Sequence, residues 1–152
     1  MVELKNIDYR GGLVRFAIPV TWVEEYEAEG GGAFYLDAPD SGTLRLSVLT
    51  FEGPSRPDRE ALLKAVAHSG TPEWLPTGNA LAFSRASGTE ESVVFHWELA
   101  NSVAPRHLRL ALFSYTVPAS RAESSAVQED VRLLGDQIRH ATFASELGVT
   151  QA

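Results

Sequence analysis

Ser120-Arg121-Ala122-Glu123-Ser124-Ser125-Ala126-Val127-Gln128-Glu129-Asp130-Val131-Arg132-Leu133-Leu134-Gly135-Asp136-Gln137-Ile138-Arg139-His140 is the stretch whose reading decides the fold. Val127, Val131, Leu134 and Ile138 recur at three- and four-residue spacing, which places them along one face of a helix. Ser120 with Glu123 has the form of a capping box, in which the hydroxyl accepts the third helical amide and the carboxylate reaches back to the cap. The pattern predicts a long amphipathic helix over 120–140. At 1.5 Å per residue it would be roughly 30 Å long, enough to lie across several strands and bury its stripe on them.

Upstream of that helix the dominant period is two. Residues 4–9 and 13–18 read as strands around Gly11-Gly12, the second with Leu13, Arg15 and Ala17 opposed to Val14, Phe16 and Ile18. Trp22–Ala28 and Ala33–Asp37 form a hairpin across Gly30-Gly31-Gly32, where glycine tolerates the turn backbone. Thr43–Phe51 alternates most cleanly, with Leu44, Leu46 and Val48 on one side and Arg45 and Ser47 on the other. A short helix is predicted over 57–68, started by Ser55, Pro57 and Asp58 and ended by Gly70 and Pro72. Strands at 80–86, 91–100 and 106–117 follow.

If Asn101–Pro105 is the turn between the last two strands, Trp97 pairs with Leu108 and Phe95 with Leu110. His96 and Glu98 would then share the opposite face with His107 and Arg109. The whole is α+β: an antiparallel sheet flanked by helices, an αβα sandwich, in one domain over 1–145 with a flexible tail at 146–152. A profilin-like or longin-like arrangement is the alternative fold.

Composition narrows function by exclusion. A net charge of −7 argues against nucleic acid as partner, because tracking phosphates needs clustered Lys and Arg. The glutamates at 24, 25, 27 and 29 read as a solvated face. With no cysteine there is no disulfide, thiolate ligand or thiol nucleophile. Residues 1–10 lack the basic start and apolar stretch of a signal peptide, and no apolar run is long enough to span a bilayer, so the expected location is cytoplasmic.

Motifs with chemistry are scarce. The glycine triplet at 30–32 is followed by a strand and no Lys-Ser/Thr pair, so it is a turn and not a phosphate cradle. No Gly-x-Ser-x-Gly elbow announces a serine nucleophile. His96, Glu98 and His107 would suffice as zinc ligands if they converged, though polar residues on an outer strand face need no ligand to explain them. Trp74, between Pro72 and Pro76 and outside any strong period, suits an apolar anchor for a partner.

At Phe16-Ala17-Ile18-Pro19 followed by Trp22, the chain resembles the PsbP-like superfamily, whose members open with a strand, an Ile-Pro step and a nearby Trp. The order of elements also matches over nearly the whole chain. Members include a photosystem II extrinsic subunit, a Ran-binding nuclear import factor and small bacterial proteins, among them chaperones of type VI secretion effectors. The resemblance implies docking to another macromolecule. It carries over no catalytic residues and no cofactor, and the acidic contact positions of the import factor have no residue-by-residue counterpart here.

The expectation is therefore a nonenzymatic protein-binding adaptor or specialised chaperone, in one branch tied to secretion. Its contacts are expected at Trp74, His96, Glu98, His107 and Arg109. A small-ligand or metal-binding protein using the same polar face is the alternative.

Overall fold

The computed structural model describes residues 2–89 and 91–145; the tail assigned to 146–152 lies outside them. Strands β1 (Leu4–Tyr9), β2 (Val14–Pro19), β3 (Val23–Tyr26), β4 (Gly32–Tyr35) and β5 (Thr43–Glu52) come first. Helix α1 (Arg59–Val66) precedes β6 (Glu73–Trp74), β7 (Ala80–Ser87), β8 (Ser92–Val103) and β9 (His107–Pro118). Helix α2 (Ser125–Arg139) and β10 (Thr142–Phe143) are the last elements among the described residues. Two sheets result, ordered β1-β2-β10 and β3-β4-β5-β9-β8-β7-β6, with antiparallel pairing throughout.

The large sheet has apolar layers on both faces. On its inner face Phe34, Leu44, Leu46, Trp97, Phe113 and Tyr115 pack against Ile7, Val14, Phe16 and Ile18 of the small sheet and against Val127, Leu134 and Ile138 of α2. Phe16 inserts edge-on between Phe34 and Phe113, at centroid distances of 5.5 and 5.2 Å, the T-shaped geometry that ring quadrupoles favour. On the outer face α1 sets Leu62 and Val66 onto Ala80, Ala82, Ala100 and Leu110. The small alanines let the helix approach; the rest of that face, toward β5, β4 and β3, has no helix over it.

The helix starts and one strand register are corrected. The long C-terminal helix is a 15-residue helix, roughly 22 Å long, preceded by a separate turn at Ala119–Arg121. Its cap is Ser124, whose hydroxyl accepts from the Val127 amide at 3.2 Å. Glu123 does not close a box with Ser120, which lies in that separate turn; it pairs instead with Arg85 of β7 at 2.5 Å. The first helix likewise starts later than its serine suggested: Asp58, not Ser55, caps α1 by accepting from the Ala61 amide at 2.9 Å.

The second correction is the β8–β9 register. Trp97 faces Phe113 and Phe95 faces Tyr115, because the strands run on to Val103 opposite His107 and the turn is only Ala104–Arg106. The five-residue difference is odd, and an odd shift moves one strand's side chains to the other face. Leu108, Leu110 and Leu112 thus belong to the outer face, and His107 and Arg109 to the inner one.

Candidate functional site

The register gathers a polar group on the outer face beside α1. His96 and Glu98 lie two apart on β8, flanked by Ser114 and Leu112 of β9, and Arg45 and Ser47 of β5 continue the same face. The β3–β4 loop, with Glu27 and Gly31, forms the opposite wall of a cleft of about 460 Å³. That loop can turn so tightly because Gly30 and Gly31 hold φ of 110° and 104°, a region closed to most side chains. Nearby on β3 and β4, the Tyr35 hydroxyl donates to Glu25 at 2.5 Å, and this bond raises the phenol pKa.

Glu98 is the electrostatic feature of the cleft. Its side chain is 14% exposed, and its Oε1 accepts no hydrogen bond from the described residues. His68, in the turn after α1, brings Nε2 within 3.3 Å of that oxygen, a charge pair only while the imidazole is protonated. The part of the Glu98 side chain that stays exposed lines the cleft, where a carboxylate suits a donor from outside: an amide, an amine or a guanidinium.

Of the five residues named from sequence, the structure places only His96 and Glu98 in the cleft. Arg109 is on the inner face, 2% exposed, with Nε donating to Thr50 Oγ1 at 3.2 Å; burial lowers its pKa. His107 lies further along the same inner row, opposite Val103 and Glu52, with a buried Nδ1 that has no described partner. Trp74 is half-buried on the short edge strand β6, packed on the α1 cluster and covered by the Arg59 guanidinium at 5.0 Å. Among the described residues no group of three or more His, Asp or Glu is placed to hold a metal ion. His96 and Glu98 are separated from His107 by the sheet itself.

Sequence reasoning missed Arg45, Ser47 and Ser114 as cleft residues. The signal for the first two was present, since they alternate with Leu44, Leu46 and Val48 and so had to face away from the core. Their meeting with His96 and Glu98 required the correct β8–β9 register.

No family model and no curated protein matches the chain. Solved structures do match, and they show the fold. A Bacteroides thetaiotaomicron protein is 19% identical with a TM-score of 0.60 over 93% of this chain, which spans about half (49%) of that protein. The Saccharomyces cerevisiae Ran-binding protein Mog1p is 12% identical, TM-score 0.57, covering 94% of this chain and 96% of its own. LpqN, involved in cell envelope biogenesis in Mycobacterium tuberculosis, is 11% identical, TM-score 0.59, covering 94% and 91%. Among the described residues no helix is long and apolar enough to cross a membrane.

Proposed function

We propose that the chain is a nonenzymatic adaptor of the PsbP-like kind that docks a protein partner in the outer-face cleft. The observation that carries this reading is Glu98, a largely buried carboxylate in the wall of a cleft, paired among the described residues with the exposed His68. A Lys, Arg or amide side chain of the partner donates to the part of the Glu98 carboxylate that lines the cleft, with His96, Ser47 and Ser114 as polar neighbours. Arg45 and Glu27 set the charge at the mouth. The element order and the fold shared with Mog1p, itself a Ran-binding protein, support the superfamily assignment and the docking role. A cytoplasmic location belongs to the same proposal.

The test is quantitative affinity capture from native cell lysate with the wild type, Glu98→Leu and an α2 surface variant, Arg132→Ala. A partner retained by the wild type and Arg132→Ala but depleted at least about tenfold on Glu98→Leu supports the reading, a tenfold loss being what a single buried charged hydrogen bond is worth. A partner captured equally by all three refutes it. The alternative of a metal centre on His96, Glu98 and His107 has no supporting geometry, because the sheet divides those ligands.

A further inference from the structure

β4 pairs with β5 only over Thr43–Leu46, so one edge of β5 from Ser47 to Glu52 lies open. The ladder fixes which groups face that edge. The Gly53 amide donates to the Arg106 carbonyl at 3.0 Å, continuing the β9 pairing. Odd-numbered residues therefore bond toward β9, and Val48, Thr50 and Glu52 turn their backbone N–H and C=O groups to the open side. Among the described residues nothing accepts from or donates to them.

Exposed sheet edges are normally blunted by shortness, charge or a covering segment. Two other edges of the large sheet follow that rule. β3 has four residues and carries Glu24 and Glu25. β7 carries Arg85 and is crossed at Phe83 by the chain at Gly70, where an added methyl would come within 2.5 Å of the Phe83 carbonyl oxygen. The open stretch of β5 reads Ser47-Val48-Leu49-Thr50-Phe51, uncharged and strand-favouring, with Leu49 and Phe51 44% and 51% exposed.

This edge is complementary to itself. In the antiparallel register that sets Thr50 against Thr50 of a second copy, Val48 faces Glu52 of that copy, and all three free backbone sets on each chain are bonded. Shifting by two in one direction meets Leu46, whose edge β4 already occupies. Shifting by two in the other direction puts Pro54, which has no N–H, opposite Val48. In the central register Leu49 lies beside Phe51 of the second copy, twice, in the close non-hydrogen-bonded positions where apolar cross-strand pairs stabilise. No like charges oppose each other.

We infer that two copies of this chain associate edge to edge through Ser47–Glu52, joining their large sheets about a two-fold axis at Thr50. Outer faces then coincide, so two clefts open to the same side. The inference is independent of what the clefts bind.

Sedimentation equilibrium of the full chain from low to high micromolar concentration is expected to give twice the 16.5 kDa monomer mass. Phe51→Lys weakens the dimer about tenfold by removing two Leu–Phe pairs, whereas Val20→Lys, at another exposed apolar position, leaves it unchanged. Because the chain has no cysteine, register is read directly: mixed Leu49→Cys and Phe51→Cys proteins, mildly oxidised, cross-link preferentially as the 49–51 heterodimer. A monomer at all concentrations, equal weakening by both lysines, or cross-linking without preference for the mixed pair overturns the inference.

Discussion

Replacing Glu98 with leucine is expected to make the protein more stable and, under the proposed function, to weaken partner binding. The carboxylate is largely buried, and Oε1 has no hydrogen-bond donor among the described residues. Leaving such an atom unsatisfied costs about 1–3 kcal/mol, which leucine recovers. The substitution also gives up the His68–Glu98 contact at 3.3 Å, but His68 is 66% exposed, and a pair of that kind contributes about 0–1 kcal/mol. Leucine at 98 sits beside Leu112 and Ala82, so shape and polarity suit it. The net gain is about 1–2 kcal/mol, or roughly 2–8 °C in Tm for a chain of this length. Thermal unfolding followed by circular dichroism measures it. A fall in Tm would refute the reasoning, since it would mean that Glu98 holds the fold together and that its burial needs no functional explanation.

Ser124→Ala removes the α2 cap and is expected to cost about 0.5–2 kcal/mol in urea unfolding, while Ser120→Ala, four residues earlier in the turn, changes stability far less. Replacing Leu134, fully buried on the core face of α2, with alanine is expected to cost about 2–5 kcal/mol, more than any cap on the same helix. Asp130 accepts from the Tyr115 hydroxyl at 2.9 Å, yet burial raises its pKa. A carboxyl whose folded pKa lies above its unfolded value is stabilised by protonation, so its ionised form counts against the fold above that pKa. Asp130→Asn keeps an acceptor for Tyr115 without the charge, and is expected to match or exceed wild-type stability at pH 7, with the advantage shrinking as pH falls through the carboxylate range.

The parts of the fold that were legible in the sequence are those set by local periodicity. Thr43–Glu52 alternates because one face of its first half is core and the other is not, and Val127, Leu134 and Ile138 mark the buried stripe of α2 wherever that helix begins. Its start was misplaced for a tertiary reason: Ser120 has the form of a cap but falls in the separate turn before α2, Glu123 pairs with Arg85, and Ser124 takes the cap. The β8–β9 register was illegible for a deeper one. β9 lies in the middle of the sheet with apolar layers on both sides, so Leu108, Leu110 and Leu112 alternate with Ala111, Phe113 and Tyr115, and no pattern of polarity says which set faces α1. His96 and Glu98 were legible as neighbours because they share a strand. That His107 and Arg109 were not theirs depended on the length of one turn.

The central claim is that a partner enters the cleft beside Glu98, and the most direct measurement places a photo-cross-linking amino acid at Ser114, in the cleft, and separately at Arg132, on the far surface of α2. Irradiation in native lysate is expected to give one defined cross-linked protein from position 114 that is absent from position 132 and lost when Glu98→Leu is added. Cross-links of equal pattern from both positions, or a product at 114 that survives the loss of Glu98, would contradict the account.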